Sequence, residues 1–115
     1  KAIEEAAAYP GPSVIIAYSP CIEHGYDLKH GADQQGKAVE SGYWPLFRFD
    51  PAQPKGKKFR LDSKKPSIPL SDFMYNETRF TRVVKENAEL GKALLDQAQE
   101  EVDSKWERLE IYKDM

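Results

Sequence analysis

A short apolar run, Val14-Ile15-Ile16-Ala17-Tyr18, restricts the possible folds of this 115-residue chain more than any other stretch. It is too short to span a membrane, and its β-branched residues favour a strand buried on both faces, which is typical of parallel sheets. Ser19-Pro20 ends the run, because proline has no N–H to donate to a neighbouring strand. Parallel strands are joined by crossovers, so the sequence predicts an α/β fold with an incomplete parallel sheet whose other strands lie outside this chain.

The only cysteine, Cys21, follows that proline directly. Ligands of open α/β sheets bind at the carboxyl ends of the strands, which gives this thiol a candidate functional position. An iron–sulfur cluster needs four thiolates, so Cys21 would supply one of them. As a nucleophile it would need His24 or His30 as its base, and as an inert thiol it would pack like a small hydrophobe. The residues alone leave these three readings open.

The two histidines and the glycines carry no specific motif. No Cys/His spacing matches a zinc site, so His24 and His30 are interpreted as solvated or supporting groups rather than metal ligands. The glycines between residues 25 and 36 lack the strand and helix that would make them a phosphate-binding loop. Asp33 is predicted to cap a helix that runs to about Ser41.

Residues 1–62 otherwise contain a helix and a hairpin. Ala2 to Ala8 has helical composition and ends at Tyr9-Pro10-Gly11-Pro12. Apolar and polar residues alternate over 46–50 and again over 58–62, which predicts a β-hairpin with a long connection. The aromatic residues around this hairpin are interpreted as core: Tyr43, Trp44, Phe47 and Phe49.

Residues 63–115 are predicted to form a linker followed by a helical C-terminal extension. Ser71 is a candidate cap for a short turn, and a second helix is expected over 78–85. Asn87 or Glu89 is expected to open the longest helix. Apolar residues recur there at every third or fourth position: Leu90, Leu94, Ala98, Val102, Trp106 and Leu109.

Charge and composition narrow the functional classes. The net charge is −2 and there is no basic patch, so neither nucleic acid nor an anionic membrane is expected as a partner. One cysteine excludes an internal disulfide framework. Because the sequence has no signal peptide and no long apolar stretch, a cytoplasmic protein is expected. The chain begins within a helical pattern and without methionine, as expected of a piece of a longer protein.

Two long motifs resemble a known enzyme family. The first is Tyr9-Pro10-Gly11-Pro12-Ser13 followed by the segment from Ile15 to Gly25, and the second is Lys37-Ala38-Val39-Glu40-Ser41-Gly42-Tyr43-Trp44-Pro45-Leu46-Phe47-Arg48-Phe49. Together they look like the C-terminal part of pyruvate:ferredoxin (flavodoxin) oxidoreductase. The resemblance continues more loosely through 72–80 into the helical tail.

The resemblance implies a function for the longer protein. Enzymes of this family decarboxylate pyruvate on thiamine diphosphate held with magnesium, pass electrons through four-iron four-sulfur clusters to ferredoxin or flavodoxin, and leave the acetyl group on coenzyme A. It also implies a homodimer, a thiamine diphosphate-binding domain that ends within residues 1–62, and Cys21 as the last of four thiolates on the cluster nearest the thiamine. The thiamine motif, the substrate residues and the other cysteines are absent here, so the chain is expected to need the rest of its polypeptide and to be inactive alone.

Three alternatives stay open. The chain could be a docking or assembly module with an inert cysteine, a segment of a related 2-oxoacid oxidoreductase with another substrate, or a small thiol enzyme. The last would need a depressed thiol pKa.

Overall fold

The computed structural model describes all 115 residues and has a mixed helical and β architecture. Two single 3-10 turns, Ile22–His24 and Leu28–His30, lie between the first two helices. None of the helices is both long and apolar enough to cross a membrane. The regular elements are α1 (Ala2–Ala8), α2 (Gly31–Glu40), β1 (Phe47–Phe49), β2 (Phe59–Leu61), α3 (Leu70–Met74), α4 (Thr78–Glu86) and α5 (Ala88–Tyr112).

The predicted β-hairpin is confirmed. Strands β1 and β2 pair antiparallel, with Arg48 opposite Arg60. The Arg48 guanidinium lies between two carboxylates, with two hydrogen bonds to Asp62 at 2.8 and 2.7 Å and one to Glu5 of α1 at 2.5 Å. These hydrogen bonds stabilise the ionised acids and lower the pKa of both Asp62 and Glu5. Arg48 therefore connects the hairpin to the N-terminal helix.

The predicted parallel strand over Val14–Tyr18 is not formed, and this expectation is wrong for the chain by itself. The segment has no strand assignment and takes part in no backbone hydrogen bond. Val14 is 85% exposed and Ile16 is 75% exposed, so neither face is buried. The reason is that the only sheet is the two-stranded hairpin, which offers this segment no neighbouring strand. The composition of the run favours a strand, but a strand forms only where a partner strand is available for pairing.

The predicted starts of two helices also need correction. Helix α2 begins at Gly31 with His30 as N-cap, and Asp33 lies within its first turn. The preceding 3-10 turn has already placed the backbone in a helical conformation, so the helix begins before Asp33 is reached. Helix α3 begins at Leu70 after Pro69, and Ser71 is inside it.

The core is small and includes residues from both predicted regions. Ala38, Leu70, Phe73 and Val102 form it, so α2, α3 and α5 meet there. Asn87 caps α5 as predicted, with its side-chain oxygen accepting from the Leu90 N–H at 3.0 Å. The apolar stripe of α5 is buried only in its C-terminal half, at Val102, Trp106 and Leu109. The boundary after residue 62 stays a prediction.

The chain is more open than a compact domain of its size. Its accessible surface is 8205 Å², whereas a folded protein of 13.1 kDa exposes about 6400 Å². Its radius of gyration is 16.7 Å, against about 13 Å for a compact domain of this length. Much apolar surface therefore faces solvent, including Val14, Ile15 and Ile16.

Helices α4 and α5 touch at a glycine, which leads to a first prediction. A Cβ atom at Gly91 would lie 2.8 Å from Cγ2 and 2.9 Å from Cα of Val84. We expect Gly91→Ala to lower the free energy of unfolding by about 1–3 kcal/mol, because the two helix backbones must move apart. Chemical denaturation followed by circular dichroism measures this.

Gly36→Ala is the matched control for Gly91→Ala. Gly36 is also helical, but a Cβ atom there meets nothing within 4 Å. Better helix propensity is expected to stabilise this variant by up to about 1 kcal/mol. Equal effects of the two substitutions would contradict a close helix contact at Gly91.

Candidate functional site

Cys21 lies at the start of the 3-10 turn Ile22–His24, with its side chain exposed. Its carbonyl oxygen accepts from the His24 N–H at 3.0 Å, and the Ile22 carbonyl accepts from the Gly25 N–H at 3.2 Å. Gly25 ends the turn with a φ of +78°, a left-handed conformation that favours glycine. The turn therefore presents the thiol at the protein surface on an ordered backbone.

The turn is attached to the first residue of α4. The Gly25 carbonyl oxygen accepts two hydrogen bonds from Thr78, from its N–H at 3.2 Å and from its Oγ1 at 2.7 Å. A Cβ atom at Gly25 would lie 2.5 Å from Cβ of Thr78. Glycine is thus needed at this position both for its backbone conformation and for the close approach of the helix.

A buried carboxylate lies beneath the turn. Glu77 is 1% exposed and accepts hydrogen bonds from Gln34 Nε2 at 2.7 Å and from Arg79 Nε at 2.5 Å. Its Oε1 lies 3.9 Å from Nδ1 of His24, which is buried and has no hydrogen-bond partner. Gln34 is held in turn by the Phe73 carbonyl, to which its Nε2 donates at 2.9 Å. Glu77 therefore links α2, α4 and the Cys21 turn.

Arg79 extends this network to the other side of Cys21. Its Nη2 donates to the Tyr18 hydroxyl at 2.9 Å, and its guanidinium lies 4.4 Å from the centre of the Phe80 ring. Burial alone would lower the pKa of Arg79, but the hydrogen bond and the charge of Glu77 raise it above the usual value. The pKa of Tyr18 is also raised, first by burial and then by the nearby Glu77 charge. Arg79 therefore stays charged and holds Tyr18.

Aromatic side chains fix Tyr18 at the end of the exposed apolar run. Its ring lies 6.0 Å from His24, 5.3 Å from Trp44 and 5.9 Å from Tyr43, measured between centroids. Tyr43 in turn packs at 4.5 Å on the fully buried Phe73. The prediction that these aromatic residues belong to the core is thus confirmed for Tyr43 and Trp44, which pack against the buried core cluster.

The other half of the predicted aromatic core is wrong. Phe47 and Phe49 are each 50% exposed. They lie in a two-stranded hairpin, and a sheet this narrow cannot cover both of its own faces.

The predicted site residues are only partly brought together. His24 faces Glu77 under the turn, whereas His30 is exposed at the start of α2. No group of three or more potential metal-ligating side chains occurs in the chain. A four-iron cluster needs four thiolates. With one cysteine, the chain does not itself supply the donor set of such a cluster.

Sequence reasoning missed Glu77, Gln34 and Arg79. Gln34 directly follows Asp33, the predicted helix cap, and its hydrogen bond to Glu77 spans 43 residues. Gln34 belongs to no recognisable motif, so nothing in the spacing predicts its contact with Glu77. The one usable signal was the Glu-Thr-Arg-Phe run at the start of a predicted helix.

The relatives of the chain are pyruvate oxidoreductases. It is 50% identical over 107 residues to the pyruvate-flavodoxin oxidoreductase of Rhodospirillum rubrum, covering 92% of the chain and 9% of that protein. It is 45% identical over 115 residues to the pyruvate:ferredoxin oxidoreductase of Moorella thermoacetica, covering 98% of the chain and 10% of that protein. The chain is therefore homologous to a segment of these oxidoreductases.

A third relative is named for a different electron acceptor. The pyruvate dehydrogenase [NADP(+)] of Cryptosporidium parvum is 38% identical over 128 aligned positions, covering all of the chain and 6% of that protein. The chain spans about a tenth or less of the length of these relatives. No family model matches it.

Proposed function

We propose that this chain is a segment of an oxidoreductase that oxidatively decarboxylates pyruvate to acetyl coenzyme A and carbon dioxide. The observation that carries the proposal is the 50% identity to a pyruvate-flavodoxin oxidoreductase over 92% of the chain. In the whole protein, thiamine diphosphate with magnesium would supply the carbanion chemistry, and iron–sulfur clusters would carry the electrons. The acceptor would be ferredoxin or flavodoxin, in a homodimer located in the cytoplasm.

Within that protein, the proposed role of this chain is to supply Cys21 as one thiolate of the cluster nearest the thiamine. Two observations support the assignment: the thiol is exposed, and its backbone is ordered by a turn. A deprotonated cysteine is the usual ligand of such clusters. The chain is not expected to hold a complete cluster or to turn over pyruvate by itself.

The partner proposed for the exposed apolar surface is the remainder of the same polypeptide. Val14, Ile15 and Ile16 are exposed, and the backbone around them has no hydrogen bonds within the chain. Large exposed apolar surfaces mark interaction sites. A strand from outside these 115 residues would pair with this segment and complete the end of a thiamine diphosphate-binding domain. The relatives named for flavodoxin, ferredoxin and NADP(+) share this segment, so acceptor choice is expected to lie elsewhere.

Substitution of the cysteine tests this function. In the full-length protein, Cys21→Ser is expected to remove the iron and sulfide of one four-iron cluster, because a serine hydroxyl is a poor substitute for a thiolate. Reduction of the acceptor should fall strongly, while decarboxylation on the thiamine is less affected. Iron and sulfide analysis, electron paramagnetic resonance and acceptor reduction measure these effects.

Ser19→Ala is the control for Cys21→Ser, because Ser19 is exposed in the same loop and makes no hydrogen bond. It should keep the full iron content. If Cys21→Ser also keeps all its clusters and its acceptor reduction, Cys21 is not a ligand. The excess exposed surface would then favour the alternative, an assembly module with an inert cysteine.

A further inference from the structure

We propose that Glu77, Thr78 and Arg79 form a clamp that positions Cys21 by holding the chain on both of its sides. This inference rests on the proposed role of Cys21 as a cluster ligand and adds the residues that fix its place. The three clamp residues are consecutive, and each contacts a different residue of the segment 18–25. None of them contacts the cluster itself in this proposal, so they are positioning residues.

The upstream side is held by Arg79. Its Nη2 donates to the Tyr18 hydroxyl at 2.9 Å, three residues before the cysteine. Arg79 is itself fixed by Glu77 at 2.5 Å and by stacking on Phe80. Because the preceding segment makes no backbone hydrogen bonds, the Tyr18 side chain is the attachment nearest to Cys21 on this side.

The downstream side is held by Thr78 and Glu77. Thr78 donates twice to the Gly25 carbonyl, four residues after the cysteine. The buried carboxylate of Glu77 lies 3.9 Å from Nδ1 of His24, which is one residue nearer to Cys21 than Gly25 is. The sulfur of Cys21 is exposed and has no polar partner of its own, so its position follows from these attachments on either side.

A clamp of this kind favours cluster binding at a site whose ligands come from several parts of the polypeptide. A ligand that is already ordered loses less conformational entropy when the cluster binds than one on a mobile loop. Residues that orient metal ligands through hydrogen bonds typically change metal affinity about 10–100-fold when they are substituted. The clamp is therefore expected to govern how firmly the cluster is retained, without supplying a ligand.

Two shape-preserving substitutions in the full-length protein test the clamp. Thr78→Val removes the hydroxyl that donates to Gly25, and Tyr18→Phe removes the hydroxyl that accepts from Arg79. Each is expected to speed hydrogen exchange of the His24 and Gly25 amides about fivefold, as expected for the loss of one hydrogen bond. Each should also speed iron release to a chelator about 10-fold.

Control variants carry the same chemical changes at other positions. Thr81→Val removes a half-buried hydroxyl of the same helix, whose hydrogen bond to the Thr78 carbonyl at 3.5 Å does not reach the Cys21 turn. Tyr112→Phe removes a hydroxyl from the far end of α5. Both should show the amide exchange and iron release of the unsubstituted protein. Thr78→Ser keeps the hydroxyl and should therefore keep slow exchange and slow iron release. Should Thr78→Val not fold, Tyr18→Phe and Thr78→Ser still provide the comparison.

The possible outcomes separate the clamp from the proposed function. Wild-type amide exchange in both Thr78→Val and Tyr18→Phe overturns the clamp, and so does faster exchange without faster iron release. A different measurement shows failure of the proposed function: Cys21→Ser would then keep its full iron content. The hydrogen bonds of the clamp do not involve the cluster, so amide exchange can also be compared among the variants in cluster-free protein.

Discussion

Glu77→Ala is expected to lower the free energy of unfolding by about 3–5 kcal/mol, because it breaks a buried ion pair. Glu77 is 1% exposed, and its carboxylate is the acceptor for both Gln34 and Arg79. Alanine would leave the Arg79 guanidinium partly buried without its counter-ion and the Gln34 amide without one acceptor. It would also open a cavity where the side chain lay.

Glu77→Gln separates the effect of the carboxylate charge on stability from the effect of side-chain shape. Glutamine fills the same volume and keeps one acceptor oxygen, so it should cost about 1–3 kcal/mol. Glu107→Ala is the control, because Glu107 is exposed on α5 and forms no ion pair. Its effect should stay within about 0.5 kcal/mol. Urea denaturation followed by the fluorescence of Trp44 and Trp106 measures all three, and a loss below 1 kcal/mol in Glu77→Ala would contradict a buried ion pair.

Phe73→Ala is expected to cost a similar 3–5 kcal/mol for a different reason. Phe73 has no exposed surface and lies at the centre of a core of only four buried side chains. It packs on Tyr43 with 4.5 Å between ring centroids. Truncation removes a large apolar side chain and leaves a cavity that a core this small cannot fill by rearrangement. Tyr43 and the aromatic cluster around Tyr18 would lose their support.

Phe49→Ala is the matched control for Phe73→Ala. Phe49 is half exposed at the end of β1, so its truncation should cost no more than about 1 kcal/mol. The same denaturation experiment compares the two variants. Equal losses would mean that α3 does not form the core. Hydrogen exchange at His24 should also rise in Phe73→Ala, since the Phe73 ring supports Tyr43, whose ring packs on Tyr18 and thereby on His24.

Features that depend on neighbouring residues were predictable from the sequence. The hairpin was predicted because its alternation is local, and α1 and α5 because helical composition and caps are read within a few positions. The family relationship was also predictable, because the two long motifs carry it, and the relatives confirm it. The role of Cys21 remains a prediction.

Features that depend on distant contacts were not predictable. Val14–Tyr18 has strand-like composition, but no partner strand is present, and its exposure follows from that. Nothing in the local pattern marks Glu77 as buried, because a single glutamate before a helix is usually solvated. It is buried here because Gln34 and Arg79 close over it. Only a three-dimensional arrangement distinguishes such a residue from its exposed counterparts.

The long sequence separation within the clamp has a consequence for synthesis. Gly25 and Thr78 are 53 residues apart, and a ribosome adds about 5–20 residues per second. Cys21 therefore leaves the ribosome about 3 to 11 s before the helix that anchors its turn. During that interval the thiol is attached to an unanchored loop. Under the proposed role of Cys21, iron and sulfide would consequently be delivered to an ordered ligand only after most of this chain has been translated.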